Sequence, residues 1–108
     1  MTSARQDKMR QLLREIVANF FAREAGPRSL ITVTDVTISP DFKRATAYIT
    51  TIPTSEEERA LEFAKRKRSD LRDFIAATAK LKTLPVFDIK LDEGERNRQR
   101  IDDLLNQG

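Results

Sequence analysis

Positive charge gathers in one short stretch of this sequence. Between Lys65 and Lys82 there are seven cations and only two acids, Asp70 and Asp73. Lysine and arginine side chains bind anionic oxygens, so clustered positive charge predicts a surface that faces a polyanion. The alternative is a solvated helix face with internal ion pairs, such as Glu62 with Arg66. The predicted contact residues in this stretch are Lys65, Arg66, Lys67, Arg68, Arg72, Lys80 and Lys82.

Two further cations, Arg10 and Arg14, belong to the first predicted helix and complete the set of predicted contact residues. Both lie off the apolar stripe of that helix, where they face water or a partner. Basic residues opposite a buried stripe are ordinary, so a purely solvated role stays open for this pair.

Catalytic and metal-binding residue types are scarce. The chain has no cysteine and no histidine, so it lacks a thiolate nucleophile, the commonest general base and the commonest zinc ligand. The acidic groups that we considered for a metal are Asp92, Glu93 and Glu95 in a predicted turn and Asp102 with Asp103 near the end. At these spacings solvation is favoured over coordination. We expect no enzymatic activity, no metal and no cofactor.

The length of the chain predicts one domain. It covers residues 1–108, with a core at about 6–92 and a short C-terminal amphipathic extension at 95–105. The beginning of the sequence is polar, and no apolar run approaches the roughly 20 residues that span a bilayer. Together with the lack of cysteine, these features predict a cytoplasmic protein without a membrane partner.

The cationic run interrupts a helical pattern of apolar residues. Ser55 and Glu58 have the S-x-x-E spacing of a capping box, which predicts the start of a helix. Ser69 is a favourable N-cap and predicts the start of a second helix. The sequence therefore predicts two helices joined by a kink at Lys67, Arg68 and Ser69. The apolar positions before and after this joint are Leu61, Phe63, Ala64, Leu71, Phe74 and Ile75.

A first helix is predicted from about Gln6 to Arg23, because apolar residues recur at helical spacing. Gly26 and Pro27 end it. Five phenylalanines fall on core positions of the predicted elements, so we do not expect them to stack on bases: Phe20, Phe21, Phe63, Phe74 and Phe87. The apolar stripe of the first helix consists of Met9, Leu12, Leu13, Ile16, Val17, Phe20 and Phe21.

A strand is predicted from Leu30 to Ser39, and its apolar residues change phase. Val33 and Val36 fall on opposite parities, so a regular strand would send them to opposite faces of the sheet. This pattern predicts a β-bulge near Thr34 and Asp35. The alternative is a strand that is partly covered on both faces.

Two more strands follow from alternation. The Ser39-Pro40-Asp41 turn leads into a strand at about Phe42 to Thr51, which predicts an antiparallel hairpin with small alanines facing inward. A third strand contains Phe87, Ile89 and Leu91. The predicted order is helix, strand, strand, helix, kink, helix, strand.

This order, with a cationic joint between two helices, resembles a type II KH domain, and shared motifs narrow the resemblance to the ribosome-binding factor A family. The motifs occur in family order from about Met9 to Leu105, and together they are fairly specific. They are Pro27-Arg28-x-Leu30, Thr32-Val33-Thr34-Asp35-Val36, Ser39-Pro40-Asp41, Leu71-Arg72, Leu81-Lys82-x-Leu84-Pro85-x-Phe87 and Arg100-Ile101-Asp102-x-Leu104-Leu105.

The resemblance implies an α+β, KH-like type II fold of order α-β-β-α-kink-α-β, with a three-stranded mixed sheet and helices packed on one face. It also implies binding of small-subunit rRNA near the decoding region and neck, help with maturation of the 30S subunit and rRNA processing, and support of cold adaptation. The family replaces the KH glycine loop with a kink usually written Ala-x-Gly, which aligns with Lys67, Arg68 and Ser69. Because the chain has no G-x-x-G, RNA contacts are expected from side-chain charge on phosphates.

Other functions remain open at this stage. One is a general KH-like RNA-binding module unrelated to ribosome assembly, and another is a protein-interaction domain whose basic patch meets an acidic partner. A DNA-binding helix-turn-helix fits less well because strands flank the helices. The expected partner is the small ribosomal subunit with its rRNA, without DNA, and the free protein is expected to be monomeric.

Overall fold

Within the part of the chain that the structure describes, three helices and three strands follow one another in the predicted order. The computed structural model describes residues 4–24, 30–52 and 54–94. The predicted C-terminal extension at 95–105 and the motifs around Arg28 and Ile101 lie outside the described residues. The elements are α1 (Ala4–Glu24), β1 (Leu30–Ile38), β2 (Arg44–Ile52), a 3₁₀ turn (Thr54–Glu56), α2 (Glu57–Arg66), α3 (Arg68–Ala79) and β3 (Val86–Leu91).

The three strands form one mixed sheet, as predicted, and their order in it is β1-β2-β3. β1 and β2 pair antiparallel, whereas β2 and β3 pair parallel. The register between β1 and β2 shifts between Val33 and Asp35, which confirms the predicted bulge. Because the bulge adds one residue, Val33 and Val36 are both buried despite their opposite parity.

The helices cover one face of the sheet. α1 packs mainly on β1, and α2 packs on β3 and β2. On the covered face of β2, Ala45, Ala47 and Ile49 are all buried, and the small alanines let the helices approach closely. Burying each large apolar side chain of this core contributes roughly 1.5–3 kcal/mol.

The predicted apolar stripe of α1 is confirmed for the residues at its centre, but the prediction is wrong for a residue at one edge. Leu13, Val17 and Phe20 are buried, but Leu12 is 40% exposed. Successive helical residues are about 100° apart, so Leu12 lies about 100° from Leu13 and falls beyond the stripe. Gln6 is buried, because it lies only about 20° from Leu13 around the helix.

Both predicted N-caps are wrong. The N-cap of α2 is Glu56, without a side-chain cap hydrogen bond, and Ser55 is exposed within the 3₁₀ turn that precedes the helix. The turn moves the N-cap of α2 from Ser55 to Glu56. The N-cap of α3 is Lys67, so Ser69 is already helical.

The turn between β1 and β2 also differs from the predicted strand start. β2 begins at Arg44, and Phe42 adopts a left-handed backbone with φ of 61°. The Ser39 hydroxyl donates a hydrogen bond to the Asp41 carboxylate at 2.6 Å, and the Lys43 backbone N–H donates to the same oxygen at 3.0 Å. These bonds hold the turn and explain why the extended backbone resumes only at Arg44.

Candidate nucleic-acid interface

The joint between α2 and α3 is a single residue, Lys67. Its backbone lies at φ −91° and ψ 5°, outside the regular helix but at negative φ, which any residue can adopt. The Lys67 N–H donates to the Phe63 and Ala64 carbonyls, both at 3.1 Å, and the Lys67 carbonyl accepts from Leu71 N–H at 2.8 Å. The backbone bonds therefore continue through the joint, which needs neither a glycine nor a hydroxyl cap at Ser69.

Four exposed cations lie on either side of this joint. Lys65, Arg66, Arg68 and Arg72 are exposed, and none forms an ion pair with another described residue. The Glu62–Arg66 pair of the alternative hypothesis is not formed. We call these four residues the joint cations.

Lys67 differs from its neighbours in the cationic run. Its ammonium lies 3.8 Å from a carboxylate oxygen of Glu24 in α1 and 3.7 Å from one of Asp70 in α3. It also lies 5.8 Å from the centre of the Phe63 ring. Lys67 therefore connects three helices, and its charge is already partly neutralised.

Arg68 and Arg72 form one wall of a groove on the surface. They stand one helical turn apart on α3, and the opposite wall is the start of β3, at Val86 and Phe87. The groove has a volume of about 310 Å³, and Val86 is 64% exposed beside it. Two like charges at i and i+4 repel each other by about 0.2–0.5 kcal/mol, a cost that a bound anion would relieve.

A second depression lies at the other end of β3. It has a volume of about 550 Å³ and includes the joint cation Lys65 with apolar side chains of α2 and β3. Both depressions border β3, so they follow the same edge of the sheet. The residues that line the second depression are Tyr48, Leu61, Lys65, Ile89, Lys90, Leu91, Asp92, Glu93 and Gly94.

Sequence reasoning missed Val86 and Lys90. Their signal was the alternation of β3, in which they take the parity opposite to Phe87 and Ile89. That parity identifies exposed strand positions, but only the packing of α2 and α3 against β3 places them beside the joint cations.

The remaining predicted contact residues do not join this groove. The Arg10 guanidinium donates to the Val36 carbonyl at 3.0 Å and to the Asp35 carboxylate at 2.9 Å. Arg14 lines a depression beside Val33 of β1, at the edge of the sheet opposite β3. Lys80 and Lys82 are exposed at the far end of α3, and Lys80 lies about 18 Å from Arg68 along the helix axis.

Other kinds of site find little support in the described part of the chain. Within it, no three acidic side chains are grouped so that they could hold a metal ion. The lowered pKa of Asp41 comes mainly from the Ser39 hydroxyl, with a further contribution from the Lys43 backbone, and reflects the turn rather than a reactive site. No helix in the described segments has the length and apolar character needed to cross a membrane.

Comparisons with known proteins agree on one family. The family model of ribosome-binding factor A matches residues 5–105. A ribosome-binding factor A from Methylobacterium sp. (strain 4-46) is 35% identical over an alignment of 108 positions, and the match covers 95% of this chain and 78% of the relative.

Two structural comparisons point the same way. The crystal structure of ribosome-binding factor A from Thermus thermophilus superposes with a TM-score of 0.69 and 25% identity, over 78% of this chain and 92% of that one. A homology model of the Thermus thermophilus factor, fitted into the cryo-electron microscopy map of a 30S complex with that factor, gives a TM-score of 0.64 at 26% identity. This second match covers 73% of this chain and 86% of the other.

Proposed function

Because the chain belongs to the ribosome-binding factor A family, we propose that it binds the small ribosomal subunit through the joint cations. The observation that carries this proposal is the set of four exposed cations around Lys67 that have no ion-pair partner among the described residues. The Thermus thermophilus relative that was fitted into a 30S complex supports the choice of partner.

The joint cations act by binding phosphates, not by chemistry. Arg68 and Arg72 face the groove beside β3, and Lys65 lies in the depression at the other end of that strand. Contacts of this kind position the protein on rRNA but read little of its sequence. The protein then favours one rRNA arrangement because it binds that arrangement more tightly than the alternatives.

Further details of the role follow from the family resemblance. The protein contacts small-subunit rRNA near the decoding region and neck, supports maturation of the rRNA ends, and leaves before translation begins. It works in the cytoplasm, supports growth in the cold, and requires neither a cofactor nor catalysis. The whole chain, residues 1–108, acts as one KH-like domain.

The test is co-sedimentation of the tagged protein with isolated small subunits at low and high salt. At low salt the protein should migrate with the subunits, and at high salt it should migrate alone, because phosphate contacts weaken as salt rises. Migration as free protein under both conditions would refute the proposal.

Charge-reversal variants identify the surface. Arg66, Arg68 and Arg72 are changed together to Glu, and circular dichroism checks that the fold is intact. The matched control reverses three exposed cations elsewhere, Lys8, Lys43 and Arg59, and so changes the net charge equally. The first variant should lose the subunits and the control should keep them.

The same samples separate the competing functions. A general RNA-binding module would bind unrelated RNAs as well as it binds small subunits. A protein-interaction domain whose contacts lie elsewhere would still migrate with the subunits after reversal of the joint cations. That result would show that the joint cations are not the binding surface.

A further inference from the structure

Among the described residues, β1 and β3 are the two edge strands of the sheet, and each directs one row of backbone N–H and C=O groups away from β2. Such a row is a template on which another strand can pair. The direction of each row follows from the ladder. Ser39 N–H donates to Arg44 across the hairpin, so Val36, three residues earlier, directs its N–H and C=O away from β2.

At β1 both outward groups of Val36 are already bonded to side chains. Its N–H donates to the carboxylate of Asp35 at 2.8 Å, and its C=O accepts from the Arg10 guanidinium at 3.0 Å. The same guanidinium binds the same Asp35 oxygen at 2.9 Å, which closes a ring of three hydrogen bonds. An incoming strand would have to break this ring before it could pair with Val36.

β3 carries a smaller version of the same feature. Val86 N–H donates to Lys43 and Asp92 N–H donates to Ile49, so residues of even number in β3 face β2 and Ile89 faces outward. The outward N–H of Ile89 donates to the carboxylate of Asp88 at 2.8 Å. On both edges, an aspartate therefore occupies the outward N–H of the residue that follows it.

We propose that Asp88 on one edge and the Arg10–Asp35 pair on the other are specificity determinants that close the sheet to strand addition. A peptide strand is rejected because it would leave a carboxylate without its backbone donor and, at β1, a guanidinium without its carbonyl. The chain stays monomeric for this reason, and the groove beside β3 remains open to ligands that do not pair as strands. This inference holds whether or not the groove binds RNA.

The two edges are closed to different degrees, and this gives a graded test. Asp88→Ala removes the carboxylate that occupies the outward Ile89 N–H. Two identical β3 edges can then pair around a two-fold axis into dimers. Asp35→Ala combined with Asp88→Ala removes the aspartate from both edges and takes from Arg10 the carboxylate that holds it, so that β1 of one molecule can pair with β3 of the next. This contact does not close, and it should produce larger assemblies.

Sedimentation velocity over protein concentrations from about 10 μM to about 1 mM measures these states. The wild-type chain should remain monomeric, Asp88→Ala should form dimers, and the double variant should form larger species. Asp73→Ala is the matched control, since Asp73 is exposed on α3 and has no hydrogen bond or ion pair with another described residue. A wild-type dimer, or a folded double variant that stays monomeric, would overturn the inference.

Amide hydrogen exchange tests the hydrogen bond between the Ile89 N–H and the Asp88 carboxylate directly. The Ile89 N–H should exchange about fivefold faster in Asp88→Ala, the equivalent of a net hydrogen bond of about 1 kcal/mol. Asp88→Asn retains an acceptor oxygen at the same place and should keep both the slower exchange and the monomeric state. An unchanged Ile89 exchange rate in folded Asp88→Ala would contradict the role assigned to Asp88.

Discussion

The salt dependence of rRNA binding should report how many joint cations meet phosphates. If all four contribute, the slope of log affinity against log salt is about −2.8 for single-stranded RNA and about −3.6 for a duplex. Affinity would then fall about 50-fold to 150-fold between about 50 mM and about 200 mM salt.

The perturbation is Arg68→Gln combined with Arg72→Gln, which removes charge from the groove without adding a repulsive carboxylate. Two of the four contacts are lost, so the slope should be halved and the same rise in salt should weaken binding only about 7-fold to 12-fold. Fluorescence anisotropy with a labelled small-subunit rRNA fragment measures the affinity at each salt concentration.

Lys67→Gln is the control from the same cationic run. Because the Lys67 ammonium already lies near Glu24 and Asp70, its removal should leave the slope unchanged within the error of the titration. The reasoning would be refuted if the double variant kept the wild-type slope, or if Lys67→Gln reduced the slope as much as loss of an unpaired arginine.

Two further predictions concern the fold. Leu71→Ala should lower the free energy of unfolding by about 2–5 kcal/mol in urea denaturation, since Leu71 is 0% exposed, whereas Leu12→Ala at a 40% exposed position should cost far less; equal losses would contradict the assigned core. The pKa of Asp41 is lowered from its ordinary value of 3.8, chiefly by the Ser39 hydroxyl, so its stabilising effect is present above that value and disappears as pH falls through the folded pKa. Ser39→Ala should raise the pKa of Asp41 in a carbon-13 NMR titration, and an unchanged pKa would exclude the hydroxyl as the main cause.

Much of the fold could be predicted because its elements carry strong local signals. The phase change between Val33 and Val36 predicted a bulge, and the register of β1 and β2 confirms it. The break in the apolar pattern after Ala64 predicted two helices in place of one, and the helical structure is indeed interrupted at Lys67.

The details that failed are those in which neighbouring elements compete. Ser55 matches a capping pattern, but the chain leaving β2 first forms a 3₁₀ turn and uses that residue within it. Ser69 matches an N-cap, but the backbone bonds of Lys67 already satisfy the joint. Propensity identifies residues that suit an N-cap, but it cannot decide which of several nearby residues takes that position.

The sequence predicted that the candidate site is positively charged, but it could not predict which of the cations lie together in the fold. Arg10 and Arg68 look alike in the sequence, yet one is bound to Asp35 and the other is exposed beside β3. Only the strand order separates them, because it places β1 and β3 at opposite edges of the sheet. Long-range pairing of this kind leaves no trace in local composition.

The extra residue in β1 also limits how the length of this protein can change. Deleting Thr34 would restore regular pairing with Val33 still opposite Ile49 and Val36 still opposite Ala47, so both valines would stay on the buried face. Related chains can therefore lose the bulge residue, or gain and lose residues in the turn after Ser39, whereas one more residue inserted in β1 would turn half of the strand over.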